Sequence, residues 1–306
     1  MIWLIGNRGM LGTELSLVLE KQGLACMGTD REIDITQPNA LTFFAERQAV
    51  TGVPINWIIN CAAYTAVDKA EDDGENCYRL NTEGAGNIAV CAKRIGARMI
   101  HLSTDYVFNG CGVKDTSGAI RPYREDDETD PIGVYGRTKR DGERAVQENT
   151  SDVYIIRTAW LYGKYGNNFV HTMLRLMKER DTVTVVDDQR GSPTWAFDLA
   201  HTITAFIIAS EAGKTIPFGI YHFSNEGNMS WFDFAREIYD EGRNLGLLTD
   251  GCTVKPCTSA EFPARVKRPA YSVLDKSKIK DTLGITIPFW KESLSIYLHT
   301  LVKGAI

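Results

Sequence analysis

Tyr135-Gly-Arg-Thr-Lys139 places a lysine four residues after a tyrosine. On a helix, positions i and i+4 share one face, so the ammonium would lie beside the phenol. A neighbouring cation favours the ionised phenol and predicts a lowered pKa for Tyr135. Such a phenol can give its proton to a carbonyl oxygen while hydride arrives at the carbon. Among twelve tyrosines only Tyr135 has this partner. One such pair arises by chance in roughly half of chains with this composition, so its meaning rests on its company. That company begins at Ser103-Thr104-Asp105-Tyr106, which closes the apolar run Arg98 to Leu102. A hydroxyl there sits where a sheet presents its ligands, and Thr104 can hydrogen-bond the reacting oxygen beside Tyr135.

A third member stands at the start of the chain. Gly6-Asn-Arg-Gly9-Met-Leu-Gly12 follows one apolar strand directly and opens a helix. Glycines of this kind turn the backbone, let it approach a pyrophosphate and let helix meet strand, while the helix N-terminus offers free N–H groups. The spacing GxxGxxG differs from the commoner GxGxxG. The second strand ends at Asp30, where a carboxylate can accept from ribose hydroxyls, and Arg31 beside it can instead pair with a 2′-phosphate. The two pull oppositely on NADH and NADPH. Asp34 is a further candidate for the adenine end.

These residues need a scaffold, and the first half of the chain supplies its pattern. Strands are expected at Ile2 to Ile5, Leu24 to Gly28, Ile55 to Ile59, Arg98 to Leu102 and Val153 to Ile156. Helical spacing separates them: Leu11, Leu15, Val18 and Leu19 up to Gly23; Ile88, Ala92 and Ile95 up to Gly96; Arg137 to Glu148. The succession predicts an α/β fold with a Rossmann-type doubly wound parallel sheet. The second half is mixed, with helices through Phe169 to Met177 and Leu199 to Ile207. A third is opened by the capping pair Ser230 and Asp233. From Cys252 to Ala270, loop and short strand are expected. The domains expected are 1–160, with about 195–213 returning to it, and a smaller mixed α/β C-terminal substrate-binding lobe from 161–194 and 214–306.

Bulk properties exclude several classes. The chain has 306 residues, 43% hydrophobic and 24% charged, with a net charge of -5. That balance gives no reason to expect nucleic acid or a membrane surface as partner. Seven scattered cysteines form no CxxC pair, which predicts reduced thiols in a cytoplasmic protein. There is no signal-peptide pattern, and no apolar run approaches the roughly 20 residues of a membrane helix.

Glycine loop, strand-end Ser/Thr and Tyr-x3-Lys, in that order, resemble the extended short-chain dehydrogenases. Longer stretches narrow the resemblance: Asn60-Cys-Ala-Ala-Tyr-Thr-Ala-Val-Asp-Lys-Ala-Glu71, Leu102-Ser-Thr-Asp-Tyr-Val-Phe-Asn-Gly110, Arg157-Thr-Ala-Trp-Leu-Tyr162 and Asp188-Gln-Arg-Gly-Ser-Pro-Thr194. Together they resemble the dTDP-4-dehydrorhamnose reductases along essentially the whole chain. The resemblance implies reduction of a C4 keto group on a dTDP-sugar by NADPH or NADH. Tyr135 would be the proton donor, Lys139 would bind cofactor and Thr104 would tune the site. It implies Gly9, Met10, Leu11, Asp30, Asp34, Ile35, Ala62, Ala63 and Tyr64 along the cofactor, and Thr104, Asp105 and Trp160 at the sugar nucleotide. The basic run Arg265-Val-Lys-Arg268-Pro269 is a candidate for the diphosphate, through Arg268. Some members form a homodimer with magnesium held by glutamates. Glu14 matches one position, but Phe197-Asp198 and Lys291-Glu292 stand near the others, so no metal ligand is assigned.

Two other functions fit parts of the pattern. A sugar-nucleotide epimerase or dehydratase would need further acid/base residues near Thr104, and no glutamate pair stands there. A non-catalytic NADP-binding subunit of a methionine adenosyltransferase would not need the intact Tyr135, Lys139 and Thr104 set.

Overall fold

The computed structural model describes residues 1–262 and 264–303; the last residues of the expected C-terminal lobe, 304–306, lie outside the described residues. Six short strands form one sheet: β1 (Ile2–Ile5), β2 (Cys26–Thr29), β3 (Trp57–Asn60), β4 (Arg98–Thr104), β5 (Val153–Thr158) and β6 (Gly219–His222). Their spatial order is β2-β1-β3-β4-β5-β6. Every neighbouring pair is parallel. Parallel sheets are covered on both faces, which is why β1 and the first three residues of β3 read as apolar runs, and both strands are buried throughout.

One face carries helices α1 (Met10–Lys21) and α6 (Ala196–Glu211), whose Leu15, Val18, Leu199, Ile203 and Phe206 share a core with Leu4 and Ile59. The other face carries α2 (Pro38–Val50), α3 (Gly84–Ile95) and α4 (Val134–Asn149), which bury Leu41, Ile88, Ala92 and Val146 against Trp3, Ile58 and Met99. The fold is therefore a doubly wound α/β sheet. Its order reverses between β1 and β3, and in such sheets the ligand crevice opens at the carboxyl ends around that reversal.

A second core lies beyond β5. Helices α5 (Phe169–Glu179) and α7 (Trp231–Asn244) bury Val170, Met173, Phe234 and Ile238 together with Trp290 and Leu294. Strand Thr182–Val186 pairs in parallel with Thr253–Cys257 beside them, which makes this lobe mixed α/β. The cap expected for α7 is present: Ser230 Oγ accepts from Asp233 N at 3.0 Å, and Asp233 Oδ2 accepts from Ser230 N at 3.1 Å.

Two features differ from expectation. β6 falls in the stretch assigned to the C-terminal lobe, yet it pairs with β5 at the sheet edge. Four residues give no readable period, and its burial comes from β5 and α6 rather than from its own pattern. The second feature is a π-helical turn, Arg79–Glu83, inserted ahead of α3. No helix among the described residues is long and apolar enough to cross a membrane.

Candidate active site

The glycine loop lies at the sheet reversal. Gly6 has φ +81°, and a Cβ there would stand 2.7 Å from Ala62 N, so the loop and the segment after β3 touch. A Cβ at Gly12 would stand 2.1 Å from Gly6 O, which fixes glycine where α1 meets the loop. No side chain caps α1 at Gly9, leaving its first amides, including those of Met10 and Leu11, free for an anion. Asp30 follows β2 directly and is partly buried, Arg31 beside it is exposed, and the loop is tied to the residue before them, with Gly6 N donating to Thr29 O at 2.7 Å. Asp34 is committed to its own turn, with Oδ1 accepting from Thr36 N at 2.9 Å and Thr36 Oγ1 at 2.8 Å. The Ile35 side chain belongs to the core under α3.

Ala62, Ala63 and Tyr64 run as irregular, partly exposed backbone after β3. Two asparagines hold that segment. Asn60 Oδ1 accepts from Ala62 N at 3.0 Å. Asn81 Oδ1 accepts from Tyr64 N at 2.8 Å, while its Nδ2 donates to Tyr64 O at 3.1 Å and to Thr138 Oγ1 at 3.1 Å. Asn81 reaches both because it sits in the π-helical turn, an irregularity often found at functional sites. Neither asparagine was singled out from sequence. Asn60 stands within a quoted motif, but a π turn has no sequence signal.

Thr104, Tyr135 and Lys139 come together between β4 and α4. The Thr104 hydroxyl faces the Tyr135 phenol closely enough to lower its pKa. Lys139 is 2% exposed and its Nζ donates to Leu102 O at 2.6 Å. Contrary to expectation, Lys139 does not acidify Tyr135. Burial pushes the Tyr135 phenol up, Asp105 adds to that, and only Thr104 pulls it down. The ammonium is tied to the strand carbonyl instead, and burial lowers Lys139 to about 8. Tyr135 therefore keeps its proton at neutral pH, the form a donor needs. An alkoxide is far more basic than a phenolate, so transfer to it runs downhill even from a raised phenol.

Asp105 lies at the same strand end and is 3% exposed. Thr104 Oγ1 donates to its Oδ1 at 2.9 Å, whereas Oδ2 is buried without a hydrogen-bond partner among the described residues. Burial pushes this carboxyl up to about 6, against the pull of the Thr104 hydroxyl. Its folded pKa lies above the ordinary 3.8. Stability from this group is thus complete below about 3.8 and is lost as pH rises through about 6. Asp105→Asn is expected to be the more stable protein at pH 8, by about 3 kcal/mol at most for a shift of about 2 units. The gain should vanish near pH 4. Urea unfolding at both pH values measures it, and a variant no more stable at pH 8 would contradict the strain assigned to Asp105.

Trp160 closes the far side. It has φ +48°, is partly buried and stacks on Trp231 with centroids 3.5 Å apart. Arg268 does not stand free: Nη2 donates to Asp68 Oδ2 at 2.5 Å and Nη1 to Tyr106 Oη at 3.2 Å. Tyr106 meets Tyr135 edge-on at 5.5 Å, so Arg268 is linked to the phenol through one ring. An incoming diphosphate would have to compete with Asp68.

The residues near two of the magnesium positions are engaged within the chain. Asp198 Oδ2 accepts from Asn225 Nδ2 at 2.6 Å and Ser293 Oγ at 2.5 Å, and Lys291 pairs with Glu237. Among the described residues no group of three or more His, Cys, Asp or Glu side chains could hold a metal ion.

The chain matches the family model described as RmlD substrate binding domain over residues 1–303. A dTDP-4-dehydrorhamnose reductase of Streptomyces griseus is 44% identical over 296 residues, 96% of this chain and 91% of that one. One of Aggregatibacter actinomycetemcomitans is 39% identical, covering 94% and 95%. Among solved structures, a dTDP-4-dehydrorhamnose reductase of Bacillus anthracis in complex with NADP superposes with a TM-score of 0.85 at 37% identity, covering 98% of each chain.

Proposed function

The chain belongs to the dTDP-4-dehydrorhamnose reductase family, and from that premise we propose that it reduces the C4 keto group of dTDP-4-dehydro-L-rhamnose to dTDP-L-rhamnose. That is the last step in making this sugar nucleotide for cell-surface polysaccharide. The observation that carries the proposal is the convergence of Thr104, Tyr135 and Lys139 beside the unpartnered Oδ2 of Asp105. When bound, the nicotinamide supplies the hydride. Tyr135 gives its phenolic proton to the substrate O4. Thr104, whose hydroxyl donates to Asp105 Oδ1 before reaction, would turn that hydrogen to the phenolate as it forms. The Lys139 ammonium, held on Leu102 O, would bind ribose hydroxyls of the cofactor and lower the energy of the negative charge that develops. Asp105 would touch the sugar once the substrate opens a path to its buried Oδ2, Trp160 would line the sugar nucleotide, and Arg268 would exchange Asp68 for the diphosphate.

Gly6, Gly9, Met10, Leu11 and Gly12 would hold the pyrophosphate, with Ala62, Ala63 and Tyr64 along the nicotinamide half. Residues 1–160 with 195–213 would form the cofactor part; 161–194 and most of 214–306 would form the substrate lobe, with β6 returned to the first. A cytosolic location is part of the same reading, in keeping with seven unpaired cysteines.

The test is consumption of reduced nicotinamide by the purified protein with dTDP-4-dehydro-L-rhamnose; no turnover with either cofactor would overturn the reading. Asp30 and Arg31 oppose each other, so NADPH and NADH are expected to differ by less than about tenfold in kcat/KM. Arg31→Ala should lower use of NADPH alone, by about tenfold. An equal loss with both cofactors would remove Arg31 from the 2′-phosphate.

A further inference from the structure

A cluster of buried charge lies behind Tyr135 and Lys139, away from the glycine loop. Glu143, one helical turn beyond Lys139 on α4, is buried, as are Arg157 on β5 and Ser103 on β4. Arg157 closes on the carboxylate as a fork, Nε to Oε1 at 2.9 Å and Nη2 to Oε2 at 2.7 Å. Ser103 donates its hydroxyl to Oε1 at 2.5 Å. The remaining guanidinium nitrogen, Nη1, lies 3.4 Å from both Glu125 O and His222 Nε2. His222 Nδ1 is 3.2 Å from Tyr123 O. A carbonyl only accepts, so Nδ1 carries the hydrogen and Nε2 accepts from Arg157. Burial and the Arg157 charge keep that imidazole neutral, well below its ordinary pKa. Stability alone does not explain such a cluster, because hydrocarbon of equal volume often serves as well.

Its placement suggests another role. Two contacts join α4 to the end of β4: Lys139 to Leu102 O, and Glu143 to the Ser103 hydroxyl. The next residue along the strand is Thr104. The offset between the Thr104 hydroxyl and the Tyr135 phenol is thus set by Lys139 and Glu143 together, and the Arg157 fork fixes the Glu143 rotamer.

We propose that Glu143 is a positioning residue for the carbonyl reduction: clamped by Arg157, it locks the Ser103–Thr104 strand end against α4 and keeps a negative charge one turn from the Lys139 ammonium. The inference rests on the reductase reading of the site. The electrostatics agree with the geometry. Burial lowers Lys139 to about 8, and Glu143 is the largest influence opposing it. The other titratable groups facing Lys139 are Cys61 after β3, Cys77 on the short helix Gly74–Tyr78 and His101 on β4. Burial pushes Cys61 up to about 12, raises Cys77 and holds His101 neutral. Of the groups that face Lys139, only Glu143 is closed on by a guanidinium fork, that of Arg157.

The test follows the Lys139 amine directly, by NMR of ε-carbon-labelled lysine against pH, with the signal assigned by its loss in Lys139→Arg. In Glu143→Gln the midpoint is expected to fall by about one unit or more, a tenfold loss of proton affinity. The alkaline limb of kcat/KM should move down with it, while cofactor KM changes little. An unchanged midpoint and limb would overturn the proposal, whatever the change in kcat. If Glu143→Gln does not fold, the paired replacement Glu143→Leu/Arg157→Met keeps the volume and predicts the same downward shift; an unmoved Lys139 there is equally fatal. Should the native protein reduce no keto sugar nucleotide while Lys139 still shifts, the reductase reading falls and the charge arrangement stands.

Discussion

Tyr135→Phe is expected to lower kcat/KM for keto-sugar reduction by at least ~100-fold, the scale of a lost general acid and about 2.7 kcal/mol of barrier. The loss should fall on kcat. Phenylalanine keeps the edge-on contact with Tyr106, and the Lys139 anchor on Leu102 O is untouched, so cofactor affinity should change by less than about threefold. Initial rates at the nicotinamide absorbance band and a fluorescence titration of cofactor binding separate the two. Near-equal rates would remove Tyr135 from the chemistry. The pH profile adds a second reading. A phenol raised by burial keeps its proton throughout the working range, so the fall in rate at alkaline pH belongs to Lys139, at about 8. As pH rises through that value the ammonium is lost, and with it the charge that stabilises the developing anion. Lys139→Arg should therefore push the alkaline limb upward while lowering kcat.

What the sequence made legible was what repeats or aligns. Leu4, Ile58 and Ile155 belong to apolar runs that only a doubly covered parallel sheet needs, and all are buried. The glycine loop was legible because close approach at Gly6 and Gly12 leaves no room for a side chain. The Tyr135 and Lys139 pairing was visible in spacing, but its electrostatics were not. Spacing places an ammonium near a phenol; it cannot reveal that Leu102 O, 37 residues away, takes the ammonium. The pairing of Arg268 was hidden in the same way, since its partner Asp68 is 200 residues distant. Asn81 escaped because a π turn is a local misfit of the helix and not a pattern. Glu143 and Arg157 escaped because each, read singly, is an ordinary charged residue, and only burial on facing elements makes them a pair.

That pair gives the largest expected effect on stability. Glu143 and Arg157 have 3% and 2% of their side chains exposed, so removing one leaves the other without its partner and almost without water. Arg157→Met is expected to destabilise the fold by about 3–5 kcal/mol, the range for breaking a buried ion pair from one side. Part of that loss lies outside the pair, since His222 Nε2 loses its donor and Phe108 loses the guanidinium 5.0 Å from its ring. Glu143→Leu alone should cost a similar amount, because it strands Arg157 instead. If the single losses come from an abandoned charge, the double variant Glu143→Leu/Arg157→Met must recover most of them. Losses that simply added would mean the two residues act through separate contacts. Urea unfolding of the four proteins closes the cycle. The activity of the double variant then separates two uses of the same atoms: a protein that regains its stability but not its kcat shows that the charge was kept for the reaction and not for the fold.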